Sequence, residues 1–150
     1  MRRFQNTFIF VRMKPDKQII GRWDCVDFVD FNLPEVRVKI DTGAYTSSLR
    51  CESWQEVETD GKKRLQFSVL DDSTNIPLED RTFSTTDYSI RKVKNSAGTL
   101  SLRYSIKTTI HLFNEDHVVE FTLAHRKGLK FPVLLGRKFL GNQYLVDPRK

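Results

Sequence analysis

The sequence predicts a small all-β domain, built as a sandwich or barrel with one short helix near its C-terminus. Two observations support this prediction. Apolar and polar side chains alternate in four segments, which is the period of a half-buried strand. Only residues 136–141 have a helical pattern, and this segment spans less than two turns.

The strands of the first half follow one another at short intervals. A first strand is expected over residues 17–23, after a turn signal at 14–16. Apolar residues alternate with charged ones over 36–40, which predicts a strand with one buried face. A similar alternation over 65–69 predicts another strand, and the polar stretch 71–80 that follows is expected to be a loop.

The second half carries the longest strand pattern. Apolar side chains recur at alternate positions over residues 100–112, with polar residues or threonine between them. The alternation returns over 119–123, and Asn114-Glu115-Asp116 is a plausible hairpin turn between the two strands. Regularly spaced strands with almost no helix are typical of a single β domain. We expect residues 1–16 to be an N-terminal extension and 17–150 to be that domain.

Composition and charge narrow the class of protein. The chain has 150 residues, 39% of them hydrophobic, and its 11 Phe, 4 Tyr and 2 Trp are sufficient for a core. The net charge of +6 favours acidic partners. The positive residues are scattered, however, and no basic helix or aromatic-basic signature accompanies them, which argues against nucleic-acid binding.

The cysteines and the apolar runs bear on location. Cys25 and Cys51 form no CxxC pair, and the apolar run Phe8–Val11 is too short for the core of a signal peptide. No stretch approaches the roughly 20 apolar residues of a membrane span. We therefore expect a cytoplasmic protein with reduced thiols and no membrane partner.

Two motifs carry the chemistry. A hydrophobic strand runs directly into Asp41-Thr42-Gly43-Ala44, and Leu134-Leu135-Gly136-Arg137 follows near the C-terminus. Between them, residues 90–105 are expected to form two strands around Asn95-Ser96-Ala97-Gly98, with Gly98 suited to the tip.

These motifs resemble the paired signatures of retropepsin-like aspartic proteases. A narrower resemblance is to the bacterial family catalogued as ATP-dependent zinc proteases, which is often found with ATP-grasp peptide ligases. Four segments carry it: Lys39–Ser47, Val93–Arg103, Glu120–Leu123 and Leu134–Pro148. The resemblance implies the acid protease fold, a closed β-barrel, in a single lobe. It also implies a peptide or protein substrate and a possible association with an ATP-grasp ligase.

The resemblance assigns roles by position. The residues implied in catalysis are Asp41, Thr42 and Gly43. The residues implied in substrate binding are Ala44 and a flap tip made of Asn95, Ser96, Ala97 and Gly98. The residues implied in supporting the site are Leu134, Leu135, Gly136 and Arg137. The chain departs from the retroviral pattern at Tyr45, where an acidic residue would pair with Arg137, so we expect Asp147 or Glu120 to replace that partner.

A single Asp-Thr-Gly in so short a chain predicts a homodimer. Two carboxylates that share one proton can act as acid and base together, and the second one must come from another copy. Relative to retropepsins, residues 58–87 are interpreted as an insertion.

The family name mentions zinc and ATP, but the sequence contains no motif for binding either of them. The chain has no HExxH and no GxxxxGK[ST], and His111, His117 and His125 are better explained as surface or turn histidines. We expect no metal and no cofactor. The alternatives are a non-catalytic binding or regulatory domain of the same fold, a zinc-dependent protease, and a basic nucleic-acid-binding barrel.

Overall fold

A computed structural model describes residues 17–94 and 97–150. Within this part the chain forms eleven strands, a 3-10 helix and one short α-helix. The strands are β1 (Gln18–Ile20), β2 (Trp23–Phe28), β3 (Leu33–Ile40), β4 (Ser47–Thr59), β5 (Lys62–Val69), β6 (Thr82–Thr85), β7 (Tyr88–Lys94), β8 (Leu100–Leu112), β9 (Glu115–Ala124), β10 (Val133–Leu135) and β11 (Tyr144–Val146). The 3-10 helix is Leu78–Arg81 and α1 is Arg137–Leu140. The predicted all-β class with one short C-terminal helix is confirmed.

Six strands close into a barrel. The main sheet runs β10-β3-β2-β8-β9-β4, and β10 also pairs with β4, which joins the two ends. Strands β5 and β6 extend this sheet from β4, and β7 pairs with β8. Closure gives each of the six barrel strands a neighbour on both sides, so that none of them is an edge strand of an open sheet.

The alternating patterns become the buried faces of the strands. Val36, Val38 and Ile40 of β3 are buried while the residues between them are exposed. Leu65, Phe67 and Val69 of β5 are also buried, and Gln66 between the first two is exposed, but Ser68 is buried as well. Between the barrel walls Phe28 packs against Phe31 and Phe121, with ring centroids 5.7 and 5.5 Å apart. Period-2 burial is what a sheet with one solvated face requires.

Two boundaries differ from the sequence prediction. The strand expected over 17–23 is divided between β1, which pairs with β11 in a two-stranded sheet, and β2, which pairs with β3 in the main sheet. Gly21 lies between them, where a Cβ would stand 2.9 Å from the Cβ of Lys150. The β8–β9 turn consists of Phe113 and Asn114, with φ values of 52° and 64°. Positive φ at both central residues defines the tight turn that suits strand twist. Glu115 and Asp116 therefore already belong to β9.

The predicted insertion contains β5, the 3-10 helix and β6, and it is built into the core. Leu65 and Val69 are fully buried. Arg81 is only 2% exposed; its guanidinium donates to Glu52 Oε2 at 2.8 Å, Asp72 Oδ1 at 3.1 Å and the carbonyl of Ile76 at 3.2 Å. These bonds attach the loop before the 3-10 helix to β4.

Three sequence expectations concern location and domain limits. The extension predicted at residues 1–16 lies outside the described residues. Neither helix in residues 17–94 and 97–150 has the length and hydropathy of a transmembrane span. Cys25 is exposed, Cys51 is buried, and both thiols are free.

Candidate active site

The Asp-Thr-Gly loop leaves the barrel where two parallel strands end together. Strand β3 pairs with β10 so that Ile40 lies opposite Leu135. The amide of Asp41 donates to the carbonyl of Leu135 at 2.9 Å. The two sequence motifs, about ninety residues apart in the chain, therefore meet at one end of the barrel.

The Asp41 carboxylate lies at the protein surface. Its Oδ1 accepts a hydrogen bond from the amide of Gly43 at 2.9 Å. A Cβ on Gly43 would stand 3.2 Å from that same oxygen, which is tighter than ordinary contact. Asp41 is half-buried, while Thr42 and Gly43 are exposed in the single chain. The turn thus holds the carboxylate in one orientation and leaves it accessible.

Gly136 supports the loop from below. A Cβ at this position would lie 2.6 Å from the carbonyl oxygen of Tyr45, 2.7 Å from that of Thr46 and 2.9 Å from that of Ala44. Its amide donates to Oγ of Ser47 at 3.1 Å. Only glycine allows such close approach of two backbones. Sequence reasoning missed Ser47, a buried serine that begins β4.

The start of α1 completes this support. The amide of Arg137 donates to the carbonyl of Ala44 at 2.8 Å, and that of Lys138 donates to the carbonyl of Tyr45 at 2.9 Å. Unpaired amides at a helix start are thereby satisfied by the loop carbonyls. Leu134 and Leu135 of β10 lie between β3 and β4 and connect this support to the barrel.

The prediction that Arg137 pairs with Asp147 or Glu120 was wrong. Its Nη1 donates to the carbonyl of Thr42 at 3.0 Å, and its guanidinium carbon lies 5.8 Å from the ring centroid of Tyr45. Asp147 instead bonds Arg149, and Glu120 lies 3.5 Å from Lys138 Nζ. A backbone carbonyl and an aromatic face satisfy the cation where an acidic residue is missing.

A hairpin stands beside the loop. Strands β7 and β8 pair antiparallel from Tyr88 opposite Ile106 to Lys94 opposite Leu100. Gly98 has a φ of +84°, which glycine adopts without strain. Of the predicted tip residues, Ala97 and Gly98 lie in this turn, whereas Asn95 and Ser96 lie outside the described residues. Residues of β7, β8 and β9 enclose, together with Thr46, a cavity of about 330 Å³.

Arg126 is a second residue that sequence reasoning missed. Its Nε and one Nη donate to the carbonyl of Phe131 at 3.3 and 3.1 Å. Burial and the nearby Arg50 hold the pKa of Arg126 below its ordinary value, while the charge of Asp41 opposes them. Arg126 therefore senses the charge of Asp41, although it lies in a loop 85 positions later in the chain. No local pattern marks it, because the barrel alone brings the two together.

The RimB-like family model, described as retropepsin-like aspartic endopeptidase RimB, matches residues 20–150. The chain belongs to this family. A solved protein of unknown function (DUF785) from Legionella pneumophila has a TM-score of 0.68 and 26% identity, over 90% of this chain and 96% of that one.

Curated relatives are named probable alpha-L-glutamate ligase. The one from Shewanella halifaxensis is 30% identical over 91% of this chain, and the one from Desulfotalea psychrophila is 29% identical over 88%. This chain spans only 30% and 28% of the length of those two proteins. The resemblance to a ligase-associated, retropepsin-like family is thus confirmed.

The described histidines lie in separate places. Nδ1 of His111 is 2.6 Å from Asp116 Oδ1, and Nε2 of His117 is 3.3 Å from the hydroxyl of Tyr144. The ring of His125 lies 4.6 Å from that of Trp54. Within residues 17–94 and 97–150, no three histidine, cysteine or acidic side chains are grouped to hold a metal ion.

Proposed function

We propose that this RimB-like protein is an aspartic endopeptidase in which two subunits each supply one Asp41. The observation that carries the proposal is the Asp41 turn itself. Its carboxylate is surface-accessible and held by Gly43, and the turn rests on the carbonyl contacts of Gly136 and Arg137. We propose that the β7–β8 hairpin beside it is the flap that closes over substrate; the cavity that its strands share with Thr46 supports this.

The chemistry needs two carboxylates. When two lie about 3 Å apart they hold one proton between them. The ionised one removes a proton from water, which attacks the peptide carbonyl carbon, while the protonated one gives its proton to the carbonyl oxygen. The tetrahedral intermediate then collapses: the carboxyl group that took the proton of water gives it to the nitrogen of the leaving amine as the C–N bond breaks, and the other carboxylate takes a proton from a hydroxyl of the intermediate.

The second carboxylate requires a second copy. Each chain offers one Asp-Thr-Gly turn, and this turn is exposed in the single chain. A two-fold axis through it would place identical loops face to face, as an isologous interface does. Substrate would lie between them in extended form, bonded through its backbone like an added strand. Thr42 and Ala44 would contact the partner loop and the peptide.

The relatives suggest the source of the substrate. In proteins named as glutamate ligases, a region similar to this chain forms part of the same polypeptide. We propose that the chain associates with an ATP-grasp ligase of this kind and cleaves peptide tails that such a ligase extends. The net charge of +6 suits an acidic substrate.

The first test is an Asp41→Asn variant assayed on a denatured protein and on glutamate-rich peptides between pH 4 and 7. We expect cleavage to fall by about 10²- to 10⁴-fold, since the isosteric amide cannot act as general base. Asp60→Asn is the matched control, because Asp60 lies in the exposed β4–β5 turn at φ +53°. Full activity in the Asp41 variant would remove this residue from catalysis.

A second candidate is a non-catalytic peptide-binding domain of the same fold. The names of the relatives favour it, since they state ligase activity and no hydrolysis. It predicts that the parent protein binds glutamate-rich peptides without cleaving them and that Asp41→Asn leaves their affinity unchanged.

A further inference from the structure

Two arginines oppose each other on the β7–β8 hairpin. Arg91 pairs directly with Arg103 in the antiparallel register. Directly opposite residues share a face of the sheet, with Cβ atoms about 4.5–5.5 Å apart. Like charges in this arrangement destabilise a strand pair. The hairpin therefore carries an arrangement that its own folding does not favour.

Both side chains face the cavity beside the Asp41 loop. Arg91 and Arg103 line it together with Thr46, Ser105, Glu120 and Thr122. The cavity measures about 330 Å³ and borders the loop through Thr46. Lys92, the next residue of β7, pairs with Leu102 and belongs to the opposite face.

The repulsion is not relieved within the described chain. Neither guanidinium has an ion-pair or hydrogen-bond partner among residues 17–94 and 97–150. Glu120 is the acidic residue that lines the cavity, and its Oε1 lies 3.5 Å from Lys138 Nζ. With Glu120 engaged by Lys138, the two arginines leave the cavity with an excess of positive charge.

We infer that Arg91 and Arg103 form a carboxylate-binding site under the hairpin, which selects peptides with acidic side chains. Planar guanidinium groups hold carboxylates through paired, charge-assisted hydrogen bonds. An anion between the two would turn mutual repulsion into attraction on both sides. Cleavage of the selected peptide rests on the proposed function, whereas binding of the peptide at this site does not.

The test measures binding in the Asp41→Asn background, so that no peptide is cleaved. Fluorescent hexaglutamate and hexaglutamine are titrated at 150 mM salt, followed by anisotropy. We expect hexaglutamate to bind and Arg91→Gln/Arg103→Gln to weaken it by about 10- to 100-fold, as loss of one or two charged hydrogen bonds implies. The control Lys63→Gln/Lys92→Gln removes two positive charges elsewhere and should change affinity by no more than about twofold.

Two further readouts exclude a folding defect. Arg91→Gln/Arg103→Gln should melt at the same or a higher temperature than the parent, because the cross-strand repulsion is removed. Arg91→Lys/Arg103→Lys keeps the positive charge but loses the planar guanidinium groups. Its affinity for hexaglutamate should therefore lie between that of the parent and that of Arg91→Gln/Arg103→Gln.

Three results would overturn the site: equal affinity for hexaglutamine, equal loss in both double variants, or no loss in the arginine variant. If Asp41→Asn still cleaves while these affinities follow expectation, the proposed function fails and the site stands. If Asp41→Asn abolishes cleavage but the arginine substitutions do not change peptide affinity, the proposed function stands and the arginine site fails.

Discussion

At the scale of single residues, the support of the Asp41 loop depends on a glycine, Gly136, whose lack of a side chain lets two backbones approach closely. Three backbone carbonyls converge on Gly136, and the three loop residues that supply them follow the Asp-Thr-Gly triplet directly. The neighbours of Gly136 are backbone atoms, which cannot turn aside as a flexible side chain would. The geometry of the carboxylate is therefore set by a glycine that takes no part in the chemistry.

We expect Gly136→Ala to displace the loop. The added methyl group would lie 2.6 to 2.9 Å from carbonyl oxygens, and a misplacement of about 1 Å can cost about 10²-fold in rate. Overpacking of this kind lowers the free energy of unfolding by about 1–3 kcal/mol. Peptidase kinetics and denaturant unfolding measure the two effects.

Gly61→Ala is the control for Gly136→Ala. Gly61 has a φ of +77° and open space around it, so alanine should lower the free energy of unfolding by about 1 kcal/mol and leave the rate unchanged. Equal kinetics in both variants would show that the loop does not depend on Gly136.

At the scale of elements, strand β4 belongs to two substructures. Its first residues pair with β9 and β10 in the barrel, and the rest pairs with β5 of the insertion. The register shifts between Cys51 and Ser53, where the strand passes from one to the other. Burial raises the pKa of the Cys51 thiol well above its ordinary range. This junction is thus an apolar part of the core.

Arg81 anchors the predicted insertion, residues 58–87, and Arg81→Met should loosen this segment. The change leaves Glu52, Asp72 and the Ile76 carbonyl without their donor. We expect the free energy of unfolding to fall by about 2 kcal/mol, measured by denaturant titration. Arg149→Met is the matched control, since that side chain is 88% exposed beside Asp147, and it should stay within about 0.5 kcal/mol of the parent. Equal losses would contradict the anchoring role.

At the scale of the whole molecule, the proposed chemistry is incomplete in one chain. A subunit presents a single half-buried carboxylate on an exposed turn. The shared proton that lets one acid serve as donor and the other as acceptor exists only when two turns meet. Association and activity should therefore rise together with protein concentration.

Mixing experiments check the dimer directly. Equal amounts of parent and Asp41→Asn subunits, allowed to exchange, should retain about one quarter of the parent activity, because only parent pairs hold two carboxylates. Independent active sites would retain about one half.

Sedimentation at tens of micromolar should show the dimer, and activity should be greatest at acidic to mildly acidic pH. A monomer with full activity, or activity confined to alkaline pH, would contradict the mechanism.

Much of the fold follows from local pattern. Alternation at 36–40, 65–69, 100–112 and 119–123 marks strands because each residue's direction depends only on its neighbours. The roles of the Asp-Thr-Gly and Leu-Leu-Gly-Arg motifs came instead from the resemblance to retropepsin-like proteases, because the contact between them joins segments about ninety residues apart in the chain. The predicted first strand shows the limit, since it breaks where β1 leaves its distant partner β11 and β2 begins to pair with β3.

By itself, therefore, the sequence determined the strand faces, the all-β class and the position of the Asp41 turn. Only the tertiary structure decided which groups surround that turn. Arg137 donates to the Thr42 carbonyl, Arg126 senses the charge of Asp41, and Arg91 opposes Arg103. Strand direction is a local property of the chain, whereas the partner of a charge depends on how distant segments close into a barrel.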